Sequence, residues 1–218
     1  MPDLETITQV YKNHRDPVKA MQMKAYLRDQ FEFYGIDAPT RRRLTRSFMA
    51  SVRKEPLDVG FVRECYRKPQ REYHYLAMEY VFRKRKDLVA ADIQLAEELL
   101  VNNSWWDTVD FIAANIVGWM VSEYPELKRT AIPVWMRHEN MWLRRTSLIY
   151  QLKYREETDT EILSEAIHTN LESREFFINK AIGWALRQYS KYNPDWVRSF
   201  IENTDLQPLS HREASKYI

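Results

Sequence analysis

Two indoles and two carboxylates fall together in the run Asn103-Ser104-Trp105-Trp106-Asp107-Thr108-Val109-Asp110. Trp106 and Asp110 are four apart, so on a helix they share one face. Tryptophan is costly to leave in water and aspartate is costly to bury. A face that carries both suits a site for a positively charged, partly apolar ligand. A plainer reading is a capped helix, with Ser104 as N-cap, Asp107 in the first turn and Trp106 in the core. That reading leaves Asp110 without a purpose among its apolar helical neighbours Trp106, Val109, Ala113, Ala114 and Val117. Position alone leaves both readings open.

Two later segments repeat the combination. The stripe Trp142, Arg145, Leu148, Ile149 and Leu152 is apolar except for Arg145, which needs a carboxylate or a phosphate to meet it. Further on, Phe177, Lys180, Ala181, Trp184 and Arg187 share a face. Asp110 and Arg145 could form a buried ion pair with the indoles as packing, or a site in which the indoles meet a ligand. Arg41, Arg42, Arg43 and Arg46 cluster early, and Lys153, Lys180, Arg187, Lys191, Arg212 and Lys216 recur later. A single basic run is usually a solvated face, whereas cations recurring along one edge would follow a phosphate backbone.

These side chains must be positioned by helices, and the helices come in pairs. Helical pattern runs from Pro56 to Lys68 and from Arg71 to Lys86, from Ala91 to Asn103 and from Trp105 to Ser122. It continues over Pro125–Asn140 with Met141–Tyr154, Thr158–Asn170 with Ser173–Ser190, and Pro194–Glu202 with Pro208–Tyr217. Tyr73, Trp106, Trp142 and Phe176, near the starts of the second helices, recur at intervals of 33, 36 and 34 residues. A helical pair of that period predicts an all-α superhelix of HEAT-like repeats, one helix of each pair lining a concave face. Residues 1–218 are expected to form one such domain. About 1–50 would be an N-terminal helical cap and 51–218 the tandem pairs.

Composition narrows the chemistry. The 218 residues suffice for a sizeable core, and the net charge of +2 permits a nucleic-acid partner without announcing one. One cysteine, Cys65, excludes a disulfide framework and suits a reducing cytoplasm. Four scattered glycines build no phosphate-cradling loop, and the five histidines lack metal-ligand spacing. Neither metal nor cofactor is expected. No leader is apparent at the N-terminus, and the longest apolar stretch, Phe111 to Val121, is too short to span a bilayer.

The distinctive segments are Asn103 to Asp110, Trp142-Leu143-Arg144-Arg145, and Phe176 through Arg187. With them go Phe33-Tyr34-Gly35-Ile36, Arg41-Arg42 and the tail Pro208 to Ala214. Together they resemble the AlkD-type DNA alkylation repair enzymes, alkylpurine DNA glycosylases built from HEAT-like repeats, over about Met23 to Tyr217. The resemblance implies a right-handed α–α solenoid whose concave face binds duplex DNA. It places the family's active-site tryptophan and aspartate on Trp106 and Asp110, its arginine on Arg145 and its second tryptophan on Trp184. Trp105 and Arg144 are the adjacent alternatives, and helical phase favours Trp106 and Arg145. A family tyrosine would fall on Tyr26.

The implied activity is hydrolysis of the N-glycosidic bond of N3-methyladenine and N7-methylguanine in double-stranded DNA. Such an enzyme is monofunctional, needs no cofactor, and as a monomer acts on DNA in the cytoplasm or nucleoid. Asp110 would stabilise the developing oxocarbenium and hold water, and Trp106 and Trp184 would face the positive charge. Arg145 would bind a phosphate and orient Asp110. Arg41, Arg42, Arg43, Lys153, Lys180, Arg187 and Arg212 would contact DNA. On a groove rather than a closed pocket, the lesion would be read at the DNA surface, so bulky adducts should be tolerated. The rivals are a non-catalytic HEAT-like scaffold for DNA or protein, and a nuclease. A scaffold gains nothing from Asp110, and a nuclease would want a carboxylate cluster for metal.

Overall fold

In the computed structural model, which describes residues 4–218, helices account for all the regular structure. The single β-type pairing among the described residues is an isolated parallel bridge between Glu32 and Gln70. The chain falls into two compact units, the first ending at Leu88 and the second running Val89–Ile218.

Unit 1 holds α1 (Leu4–Asn13), α2 (Pro17–Tyr26), α3 (Ala38–Leu44), α4 (Arg46–Ser51), α5 (Val59–Tyr66) and α6 (Arg71–Arg83). Three aspartates start its helices. Asp16 accepts from the Val18 and Lys19 amides, both at 3.0 Å, Asp37 from Thr40, and Asp58 from Phe61. Each satisfies donors that the first helical turn leaves unpaired. The α2–α3 connection turns at Gly35, whose φ of 88° is left-handed, and a Cβ there would lie 2.1 Å from the Asp16 carbonyl oxygen. Glu72, fully buried on α6, accepts from the Gly35 and Ile36 amides at 2.9 and 3.1 Å. That carboxylate therefore pins the connection from inside.

Unit 2 holds α7 (Ile93–Val101), α8 (Trp106–Ile112), a π-helical turn (Ala113–Val117), α9 (Gly118–Glu123), α10 (Leu127–Met136), α11 (Met141–Ile149), α12 (Thr160–Thr169), α13 (Phe176–Tyr189), α14 (Pro194–Glu202) and α15 (Pro208–Ala214). The second members of the pairs adjoin in chain order: α11 packs on α8 and the π turn, α13 on α11, and α15 on α13. Their inward faces are sealed by Val109, Ile112, Ile116, Leu143, Leu148, Ile178, Ile182 and Leu186, each 0 or 1% exposed. Burial of that kind stabilises by about 1.5–3 kcal/mol per large aliphatic side chain and fixes the register of each helix. The polar faces are thereby fixed too. The expected helix from Trp105 to Ser122 is interrupted by the π turn, and that from Met141 to Tyr154 stops at Ile149 before a short 3₁₀ turn.

Candidate active site

The start of α8 separates the two neighbouring indoles. Ser104 does not cap the helix. Its Oγ donates to the Leu100 carbonyl at 2.6 Å, and the N-cap position is Trp105, in extended backbone and without a side-chain capping bond. The capped-helix reading of Ser104 is corrected on this point. The Trp105 ring packs 5.7 Å from that of Trp142 and 5.3 Å from that of Phe177, and Trp142 and Phe177 lie 5.0 Å apart. These three rings, one from the residue just before α8, one from α11 and one from α13, form an aromatic seam. Trp106, one position on, is half-buried and lies one turn before Asp110 on the same face.

Asp110 meets Arg145 in a two-pronged pair. Arg145 Nε donates to Asp110 Oδ1 at 2.7 Å and its second terminal nitrogen to Oδ2 at 2.9 Å. A third Arg145 nitrogen donates to the Phe177 carbonyl oxygen at 2.5 Å. Three helices, α8, α11 and α13, are thus joined through one guanidinium. Arg145 is 4% exposed, and each of its three guanidinium nitrogens donates one hydrogen bond inside the protein. It holds Asp110. The Asp110 carboxyl is raised above the usual aspartate range by burial, an effect that the Arg145 hydrogen bonds and charge oppose and Asp107 adds to. Arg144, the adjacent alternative, is half-buried and takes no part in the pair.

Beyond Asp110 the helix widens into its π turn, a feature common beside functional groups. Asn115 sits in this turn. Its amide donates to the Phe111 carbonyl at 2.8 Å, and its Oδ1 accepts from Lys153 Nζ at 2.5 Å. Lys153 therefore stands exposed but tethered.

On α13, Lys180, half-buried Trp184 and Arg187 occupy one face, as their spacing predicts. What sequence did not single out is Glu213 on α15. Its carboxylate is 4% exposed and takes Lys180 at 3.1 Å, Arg187 at 2.7 Å and Lys216 at 2.9 Å. Lys216 foremost, and Lys180 with it, hold its carboxyl down at about 2. Three cations on one carboxylate leave a net positive patch around Trp184. Arg212, also expected to contact DNA, is exposed on α15.

The remaining expected residues lie in unit 1. Tyr26 ends α2 and is 72% exposed. Arg41 is 3% exposed, paired with Glu79 at 2.9 Å and stacked 4.6 Å from the centre of the Tyr75 ring. A buried, paired guanidinium cannot reach a phosphate, so of the three neighbouring arginines only Arg42 and Arg43 present charge to solvent. Arg42 still touches Glu79 at 3.2 Å. Among the described residues no three His, Cys, Asp or Glu side chains gather as metal ligands, and no helix is long and apolar enough to cross a membrane.

The family model described as DNA alkylation repair enzyme matches residues 7–218. A solved structure titled as a predicted DNA alkylation repair enzyme from Enterococcus faecalis is 34% identical. The match covers 94% of this chain and 96% of that one at a TM-score of 0.89. The HEAT-like all-α architecture is common to both. Among curated proteins none matches the chain.

Proposed function

The chain belongs to the family of DNA alkylation repair enzymes, and from that premise we propose that it hydrolyses the N-glycosidic bond of cationic alkylpurines, N3-methyladenine and N7-methylguanine, in duplex DNA. The observation that carries this reading is the Asp110–Arg145 pair: a carboxylate locked in two bonds of 2.7 and 2.9 Å, itself still 17% exposed, one turn from a half-buried indole.

Ring alkylation already makes the purine a good leaving group, so no strong acid is required. The bond breaks with oxocarbenium character on the sugar, and a preorganised carboxylate beside it stabilises that charge. Arg145 takes one lone pair from each Asp110 oxygen. The others remain to hold a water for attack on the sugar carbon. The purine departs with the bonding electrons, which cancel its positive charge. The water oxygen bonds to carbon and gives up its proton to the Asp110 carboxylate. Trp106 and Trp184 face the cation, each worth roughly 0.5–2 kcal/mol. Lys180 and Arg187, set by Glu213, contact the strand backbone. A lyase step needs a free nucleophilic amine, and Lys180 is instead held against the Glu213 carboxylate. The enzyme is therefore monofunctional, and borohydride traps no covalent protein–DNA adduct.

The rival is a DNA-binding scaffold without chemistry. One observation favours it: the third donor of Arg145, on the Phe177 carbonyl, makes the pair a lock between helices whatever else it does. The test is release of free base from a duplex carrying one N7-methylguanine, with Asp110→Asn alongside. Release by the wild type, reduced about 100-fold or more in the variant, establishes the glycosylase. Binding without release by either protein makes the pair a structural lock and the chain a scaffold.

A further inference from the structure

Unit 1 contains a cleft of about 390 Å³ lined by Arg46, Met49, Ala50, Val52, Arg53, Tyr80, Arg83 and Lys84. We propose that this cleft binds phosphate groups of a nucleic-acid backbone, through Arg46, Arg53 and Arg83, separately from the reaction centre in unit 2.

Four cations and no carboxylate line it. Met49, Val52 and Tyr80 are all buried and give it an apolar floor. Over such a floor, charges act more strongly than they would in open water. Lys84 is the anchor. It is 7% exposed, and its ammonium donates to the carbonyls of Arg53, at 3.0 Å, and Glu55, with Asp87 at 3.3 Å. This ties the turn after α4 to the end of α6 and fixes the separation of Arg53 from Arg83. Arg46, Arg53 and Arg83 are exposed, and among the described residues their guanidinium groups have no ion pair or hydrogen bond. The contrast within unit 1 is direct, since Arg41 and Arg42 share Glu79. Three uncommitted forks lining a floored cleft match the planar, two-pronged recognition of phosphate oxygens. A duplex strand and a free polyphosphate share that chemistry. A strand is favoured because the three forks are spread over two helices and a turn rather than gathered on one point.

The test uses the full chain, with Arg53→Gln/Arg83→Gln and Arg46→Gln as variants. These side chains hold nothing in place, so melting temperatures should match the wild type. Binding to a short undamaged duplex is measured against salt concentration, and binding to tripolyphosphate at fixed salt. The double variant should lower the slope of log K against log salt by about 1.8, at about 0.9 per phosphate. Its tripolyphosphate affinity should fall about tenfold. Base release at saturating damaged duplex should be unchanged.

A tenfold tripolyphosphate loss with an unchanged duplex slope overturns the nucleic-acid backbone as the ligand and leaves a free polyphosphate in its place. No change in either overturns the cleft as a site. A fall in melting temperature that accounts for both losses makes the arginines structural and overturns it too. A protein that releases no base can still show the slope change, so failure of the glycosylase reading is separable from failure of this one.

Discussion

Asp110 carries the sharpest consequences of any single residue. Its carboxyl titrates above the usual aspartate value because burial outweighs the pairing with Arg145. In the proposed reaction the working form is the carboxylate, so single-turnover base release should fall on acidification through a pKa above about 3.9, with background depurination subtracted. The sign for stability is opposite. A carboxyl that holds its proton more tightly folded than unfolded contributes most below its unfolded value and loses that contribution as pH rises through its folded one. An acid limb below pH 3.9 would exclude Asp110 as the titrating group. A second prediction separates chemistry from packing. Asp110→Leu alone strands a buried guanidinium and should cost about 3–5 kcal/mol, whereas Asp110→Leu/Arg145→Met should recover most of the stability and none of the base release. Denaturant melts and release assays on the three proteins check this, and a fully active double variant would remove the pair from catalysis. Helical phase favoured Trp106 over Trp105, and in the structure Trp105 precedes the helix and packs sideways onto Trp142 and Phe177. Glu213 was invisible because its partners Lys180 and Arg187 lie on another helix, and no local pattern encodes a carboxylate shared across a crossing.

Elements transmit these positions through close crossings. The tightest is α13 on α15, where Gly183 admits α15 so near that an added Cβ would stand 2.4 Å from Glu213 Cβ and 2.8 Å from the Ser210 carbonyl oxygen. Gly183→Ala should therefore push the helices apart, cost about 1–3 kcal/mol, and loosen the carboxylate that gathers Lys180, Arg187 and Lys216. A lowered melting temperature together with a changed salt slope for duplex binding is the expected pair of results. An unchanged melting temperature would mean the crossing relaxes freely. The helical pairs of unit 2 were legible from proline and asparagine punctuation and from the recurrence of Trp106, Trp142 and Phe176. The π turn was not. Residues 111–121 have the apolar content of an ordinary helix, and the widening goes with Asn115 donating to the Phe111 carbonyl, a contact that side-chain periodicity does not record. In unit 1, the connection around Gly35 was equally hidden, because it is shaped by Glu72, 37 residues later.

Across the whole molecule, charge is nearly balanced, with 33 Lys and Arg against 31 Asp and Glu. Attraction to DNA then depends on which cations are grouped and which are cancelled in pairs, not on the total. Arg137 on the C-cap of α10 and Arg198 on α14 are exposed but each is matched one-to-one, with Glu165 at 2.9 Å and with Asp195 at 2.7 Å. Lys180 and Arg187 on α13 share a single carboxylate with Lys216, so their surplus charge remains. Arg137 and Arg198 are therefore neutralised cations, whereas Lys180 and Arg187 on α13 keep part of their charge beside Trp184. Lys180→Gln/Arg187→Gln should flatten the salt dependence of duplex binding by about 1.8 in slope, at about 0.9 per phosphate released. Arg137→Gln/Arg198→Gln, an equal change in formal charge, should leave the slope within error of the wild type. Equal flattening by both pairs would mean that DNA responds to net charge alone, and the repeat would then have no privileged face for the duplex.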